Sequence, residues 1–181
     1  VTRAKVGAQD VFWEEKGAYT GEVSPLMIKK LGATHVIVGH SERRRYLGET
    51  DEMINKKVLA ALFAGLKVIL CVGEPLAVRK KGFAAAKKYV ASQLAKDLAN
   101  IQHPTSNLFI AYEPIWAVGS GKPDKPENAA EMAKYIKSNL QRLTSNVGVL
   151  YGGSVSSGNF KRFITSNHID GALVGGASIK P

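Results

Sequence analysis

A chain of 181 residues that is 45% hydrophobic has enough apolar material for one globular domain with a sizeable core, and a single domain over 1–181 is the expectation. The lone Cys71 excludes an intrachain disulfide, no apolar run is long enough to span a membrane, and nothing at the Val1 start reads as a signal peptide, so a reducing compartment, the cytoplasm, is expected. The formal charge of +10 favours anionic ligands. Its Lys29-Lys30, Lys56-Lys57 and Lys87-Lys88 pairs read as solvated helix faces, however, and the basic triplets 43–45 and 79–81 lack the interleaved aromatics of a nucleic-acid surface.

In chain order, short apolar runs alternate with helical patterns. The first run, 4–8, is followed by Ser24-Pro25, a capping residue before a proline at the first helical position, and that helix ends at Gly32. After the run 34–38, Thr50 with Asp51 and Glu52 opens a second helix, whose apolar face is Met53, Ile54, Val58, Ala61 and Leu62 and which stops at Gly65. Next come the run Lys67–Val72 and a long helix over about 77–101, with Phe83, Val90, Leu94, Leu98 and Ile101 at helical spacing. The run Leu108–Tyr112 then leads to a helix from Pro126 bearing Ala133, Ile136, Leu140 and Leu143. The run 147–151, a short helix over 159–165 and the run 171–174 complete the series. Continuously apolar runs of this length fit strands buried on both sides of a parallel sheet, linked by right-handed strand-helix-strand units.

These units suit an open doubly wound sheet or a closed barrel, and the loops decide. No strand leads into the G-x-G-x-x-G turn of a dinucleotide fold. Polar residues instead follow nearly every run at its C-terminal end: Gln9, His40 to Glu42, Glu74, Glu113, Gly152 to Ser154, and Gly175 to Ser178. In a (β/α)8 barrel those ends converge on one pocket, so an α/β barrel is the expected fold.

Three stretches carry chemistry. In AYEPIWAVGSGK, Glu113 ends a strand and Pro114 holds it in extended geometry. The loop that follows, with Trp116 between its ends and Gly119 and Gly121 within it, suits a hinged flap. The plainer alternative is a surface loop with an incidental acid. In VIVGHSERR, His40 is open to four readings: general acid, electrophile, metal ligand or hydrogen-bonded structural residue. No second His, Cys or Asp lies at ligand spacing, and His35, His103 and His168 fall at strand starts or in other loops, which argues against a metal. Ser41 lacks the elbow motif of a nucleophile, and Cys71, inside an apolar run, reads as a small buried side chain. YGGSV and DGALVGGAS are glycine-rich turns after the last two runs. Either alone would be a tight turn; together, with the flap glycines, they read as a phosphate cradle of bare amides.

With GAYTGEVSP and LCVGEP, these motifs in this order resemble the triosephosphate isomerase family from its third strand onward. The resemblance implies a cofactor-free and metal-free interconversion of dihydroxyacetone phosphate and glyceraldehyde 3-phosphate, in glycolysis and gluconeogenesis, by a cytoplasmic homodimer without nucleic-acid or membrane partners. It implies Glu113 as the base, His40 as a neutral electrophile of lowered pKa, Glu42 orienting its neighbours and Ser41 beside His40. Gly119, Ser154, Gly175 and Gly176 would hold the phosphate. Pro114, Ile115, Trp116 and the residues through Lys122 would form a lid, while Thr20 on the loop 17–22, with Gln9, would meet a second subunit.

The family pattern also includes two earlier strand-helix units, the first bearing an Asn-x-Lys that meets the substrate, and a helix after Pro181. Here Asn55-Lys56-Lys57 lies within a predicted helix and Asn159-Phe160-Lys161 opens one. The expectation is therefore strands three to eight of the barrel within a longer chain, with two long sheet edges and a half-covered core, and little activity from these residues alone. The alternatives are a non-catalytic phosphate-binding or dimerisation remnant of the same barrel and a different barrel enzyme acting on phosphorylated sugars. The ending Ile179-Lys180-Pro181 is not a peroxisome-type address.

Overall fold

The computed structural model describes residues 4–101, 105–143 and 146–179; Val1, His103 and the Lys180-Pro181 ending lie outside them. Six strands form one all-parallel sheet in sequence order: β1 Gly7–Ala8, β2 His35–Val38, β3 Lys67–Val72, β4 Leu108–Tyr112, β5 Gly148–Tyr151 and β6 Gly171–Ala172. Between them run α1 Pro25–Lys30, α2 Ser41–Tyr46, α3 Asp51–Phe63, α4 Leu76–Arg79, α5 Phe83–Asp97, α6 Pro126–Asn139 and α7 Phe160–Ile164. A doubly wound sheet reverses its strand order at a switch point; this one does not, and its six staves make an open half-barrel, part of a TIM barrel. Among the described residues no helix is long and apolar enough to cross a membrane.

The caps read from the sequence are in place. Ser24 accepts from the Met27 amide at 3.2 Å to open α1, and Thr50 accepts from the Met53 amide at 3.3 Å to open α3. Pro126 stands at the start of α6, where a missing N–H costs nothing.

Burial on the two sheet faces differs. Val36, Val38, Val68, Leu70, Ile110 and Val149 are fully buried with Ile54 and Val58 of α3, Val90 and Leu94 of α5, and Met132 and Ile136 of α6 in one core. The intervening Ile37, Ile69, Phe109 and Leu150 are only half-buried. The two-sided burial expected of a parallel sheet therefore holds only toward the C-terminal ends of β3 and β4, where Cys71 and Ala111 on the concave face are also buried; elsewhere the concave face of an open half-barrel has no opposing staves. The edges are also shorter than expected, since β1 and β6 have two paired residues each.

Two helices depart from the sequence reading. The single helix over 77–101 is two, α4 and α5, broken at Gly82, whose φ of 106° no right-handed helix accommodates. The apolar spacing runs on across that break and hides it. Helix α2, absent from the sequence reading, is fixed by ion pairs instead of an apolar stripe, as its arginines show below.

Candidate active site

Glu113 leaves β4 with its amide bonded to the Val72 carbonyl at 2.8 Å, so the sheet itself aims the carboxylate. The surroundings fit it closely. A Cβ on Gly73 would stand 1.7 Å from the Glu113 carbonyl oxygen, and one on Gly152 would stand 2.8 Å from its Cγ. Oε2 accepts from the Ser41 amide at 3.0 Å, while Oε1 lies 2.9 Å from His40 Nε2. That oxygen is buried and has no donor in hydrogen-bonding geometry.

His40 caps α2, and its Nδ1 accepts from the Glu42 amide at 3.4 Å. An accepting Nδ1 places the ring proton of a neutral imidazole on Nε2, facing Glu113. The direction of its titration differs from the lowered value that the family resemblance implies. The Glu113 carboxylate raises the His40 pKa above its ordinary value, burial opposes it and Glu42 adds to the rise. The physical reason is the contact itself: the charge nearest the ring is the Glu113 carboxylate, 2.9 Å away.

His40, Glu113, Gln9 and Glu42 line one cavity of about 760 Å³ together with Gly119 of the segment 114–122, Ser154 after β5, and Gly175 and Gly176 after β6. Ser41 is buried beneath it and reaches Glu113 through its amide. Thr20, Pro114, Ile115, Trp116 and Lys122 do not line it. Thr20 is exposed on its own loop, Pro114 is buried, Ile115 and Trp116 are half-buried and Lys122 is exposed. The Trp116 indole donates to Glu74 at 3.2 Å, and Glu74 also accepts from the Tyr112 hydroxyl at 3.1 Å. Burial and the nearby Glu113 carboxylate push the Cys71 thiol well up, which keeps it protonated. Among the described residues no His, Cys, Asp and Glu side chains group in a way that would hold a metal ion.

Of the lysine pairs read as solvated helix faces, Lys29, Lys30, Lys56 and Lys88 are exposed and Lys87 is half-buried, but Lys57 is internal. Lys57 is 2% exposed and bonds both Asp10 oxygens, at 2.9 and 2.7 Å, as well as Glu49. Arg43 holds Asp10 at 2.8 Å and Glu49 at 2.6 Å, so a four-charge cluster, with Lys57 and Glu49 buried and Asp10 and Arg43 half-buried, backs the cavity wall that Asp10 and Arg43 line. Burial raises the Asp10 pKa against the pull of Lys57. Arg44 and Arg79 are likewise paired, with Asp51 and Asp97 and with Glu74 and Asp124. Sequence reasoning missed these because Asp10, Asp97 and Asp124 lie far along the chain from their basic partners, while the nearer acids Glu49, Asp51 and Glu74 stand at spacings that belong to no single helix turn.

The family model described as triosephosphate isomerase matches residues 1–181. The chain is 50% identical over 184 residues to a triosephosphate isomerase of Thermoanaerobacter pseudethanolicus, covering 98% of this chain and 73% of that protein. It is 45% identical over 186 residues to a triosephosphate isomerase of Dictyoglomus thermophilum, with 99% and 74% covered, and 48% identical over 180 residues to one of Gloeothece citriformis, with 99% and 72% covered. A half-barrel whose strand ends gather an imidazole, a carboxylate and a glycine-lined hollow thus accompanies a match along its whole length: this chain belongs to the triosephosphate isomerase family.

Proposed function

We propose that the protein interconverts dihydroxyacetone phosphate and D-glyceraldehyde 3-phosphate by proton transfer through an enediolate, serving glycolysis and gluconeogenesis in the cytoplasm. The observation that carries this is the 2.9 Å approach of His40 Nε2 to Glu113 Oε1 inside the same cavity as the two glycine-rich turns. Glu113 removes the proton from the carbon beside the carbonyl with the oxygen that has no aligned donor, and returns it to the neighbouring carbon. His40, neutral with its proton on Nε2, donates to the substrate oxygens as charge develops on them. Once substrate separates the two side chains, the carboxylate that raises the His40 pKa is withdrawn and burial acts to lower it. The proton moves within one molecule, so the reaction calls for no cofactor.

Amides of Gly119, Ser154, Gly175 and Gly176 take the phosphate. At Gly175 and Gly176 an added Cβ would meet nothing within 4 Å, and neither has a positive φ. The fold itself does not demand glycine there, whereas close approach of an anion does. The segment 114–122 closes over the site, excludes water and keeps the enediolate from shedding its phosphate. On the loop 17–22, Thr20 is exposed and Tyr19 is 45% exposed, a surface suited to a second copy of the chain, with Gln9 at the cavity wall behind it.

The test is Glu113→Gln in the natural protein that carries this sequence, assayed in a coupled system for triose phosphate turnover. Loss of a positioned base is expected to lower kcat by about 10²- to 10⁴-fold, with phosphate binding kept. Turnover near that of the parent would overturn the assignment.

A further inference from the structure

The segment 114–122 leaves the sheet at Glu113 and reaches α6 through Asp124, and the groups at both ends converge on one side chain. Arg79, the last residue of α4, points Nη1 at Glu74 Oε1 (3.4 Å) and Nη2 at Asp124 Oδ2 (3.1 Å). The Glu74 and Asp124 side chains are 0% and 3% exposed. Glu74 secures the first end twice, taking the Trp116 indole N–H on its side chain and the Ile115 amide on its carbonyl, both at 3.2 Å. Asp124 secures the second end: its amide donates to the Tyr151 hydroxyl at 3.0 Å, and its Oδ1 accepts from the Lys125 amide at 2.7 Å. The Arg79 guanidinium also lies 5.5 Å from the centre of the Trp116 ring.

We propose that Arg79 is a positioning residue that clasps the two ends of the lid, so that the Trp116 end and the Asp124 end move as one unit. This rests on the reading of 114–122 as a lid over the triose phosphate site. The physical basis is competition for one oxygen. Glu74 Oε1 faces three donors, Trp116 at 3.2 Å, Tyr112 at 3.2 Å and Arg79 at 3.4 Å, and the arginine is the farthest. When the indole departs, Arg79 moves in on Glu74 and slackens its hold on Asp124. When Asp124 departs, Arg79 turns wholly to Glu74 and displaces the indole. A planar fork reaches two separated carboxylates with one arm each in a fixed geometry, which the compact point charge of a lysine ammonium does not reproduce.

The experiment uses amide and indole hydrogen exchange, which requires no substrate, in the natural protein and in Trp116→Phe, Asp124→Asn, Arg79→Gln and Arg79→Lys. Trp116→Phe is expected to change exchange at the Asp124 amide, and Asp124→Asn at the Trp116 indole, each by about tenfold, the scale of one charge-assisted hydrogen bond. Both cross-effects are expected to vanish in the Arg79→Gln and Arg79→Lys backgrounds, although the lysine keeps the charge. Exchange altered only at the substituted end, or cross-effects that persist without the arginine, would overturn the clasp; should Arg79→Gln fail to fold, the two end variants in the parent background already decide. The same proteins are assayed for inorganic phosphate released per triose turned over, a fraction that Arg79→Lys is expected to raise and that a merely structural ion pair would leave unchanged. Cross-effects in a parent without isomerase turnover would sink the proposed function and keep the clasp; turnover without cross-effects would do the reverse.

Discussion

His40 takes its titration from the carboxylate it faces. At 2.9 Å the Glu113 carboxylate holds the imidazole proton more firmly than solvent does. A histidine whose folded pKa is raised contributes stability that is fully present below the unfolded value of about 6.5 and is lost as pH rises through the higher folded value. Glu113→Gln removes the chief cause. The parent's stability advantage over that variant is therefore expected to be largest below about pH 6.5 and to shrink as pH rises above it, measured by urea unfolding at several pH values. An imidazole NMR titration should show the His40 pKa falling in the variant. A stability difference that stays constant with pH would mean that the contact does not titrate with the ring.

One guanidinium holds four elements together around this pair. Arg44 of α2 donates to the Gly39 carbonyl after β2 at 2.8 Å, to Asp51 of α3 at 2.8 Å, to the Cys71 carbonyl of β3 at 3.1 Å and to Asp97 of α5 at 2.6 Å. The Asp97 side chain is fully buried with Oδ1 unpartnered, and burial pushes its pKa up to about 7 against the pull of Arg44. Arg44→Lys cannot span these acceptors and strands a buried carboxylate, so a loss of about 3 kcal/mol is expected in denaturant unfolding, partly recovered by adding Asp97→Asn. A loss below about 1 kcal/mol, the scale of an exposed pair, would refute the clamp. The same residues explain what the sequence made legible. Strands and caps were readable because an apolar run, or a serine before a proline, acts on its own neighbours, and Glu113 and His40 were readable because each ends such a run. Helix α2 and the buried Lys57 were not, because two of the carboxylates that fix them, Asp10 and Asp97, lie far away along the chain. Asp10 is in the loop between β1 and α1, and Asp97 ends α5, whose separation from α4 at Gly82 the apolar spacing conceals.

Across the whole molecule two forces act on the open side of the half-barrel in opposite directions. Ile37, Ile69 and Phe109 stand in register on the concave face, half-buried, and Leu150 adds to them, a contiguous apolar surface that favours association. The net charge of +10 resists it, because two copies approaching each other repel. Salt weakens only the repulsion: at about 0.1 M the screening length is about 10 Å, comparable to the spacing of surface charges. The 181 residues by themselves are therefore expected to self-associate more strongly as salt is added, the reverse of an assembly held by ion pairs. Sedimentation velocity over a range of protein and salt concentrations reads this directly. Ile69→Lys places a charge in the middle of the apolar row and should return the chain to a monomer at moderate salt, while the core beneath, built from Val68 and Leu70 on the other face, keeps its far-UV signature. Association that weakens with salt, or that survives Ile69→Lys unchanged, would place the contact elsewhere, on charged surface or on the short two-residue edges of β1 and β6.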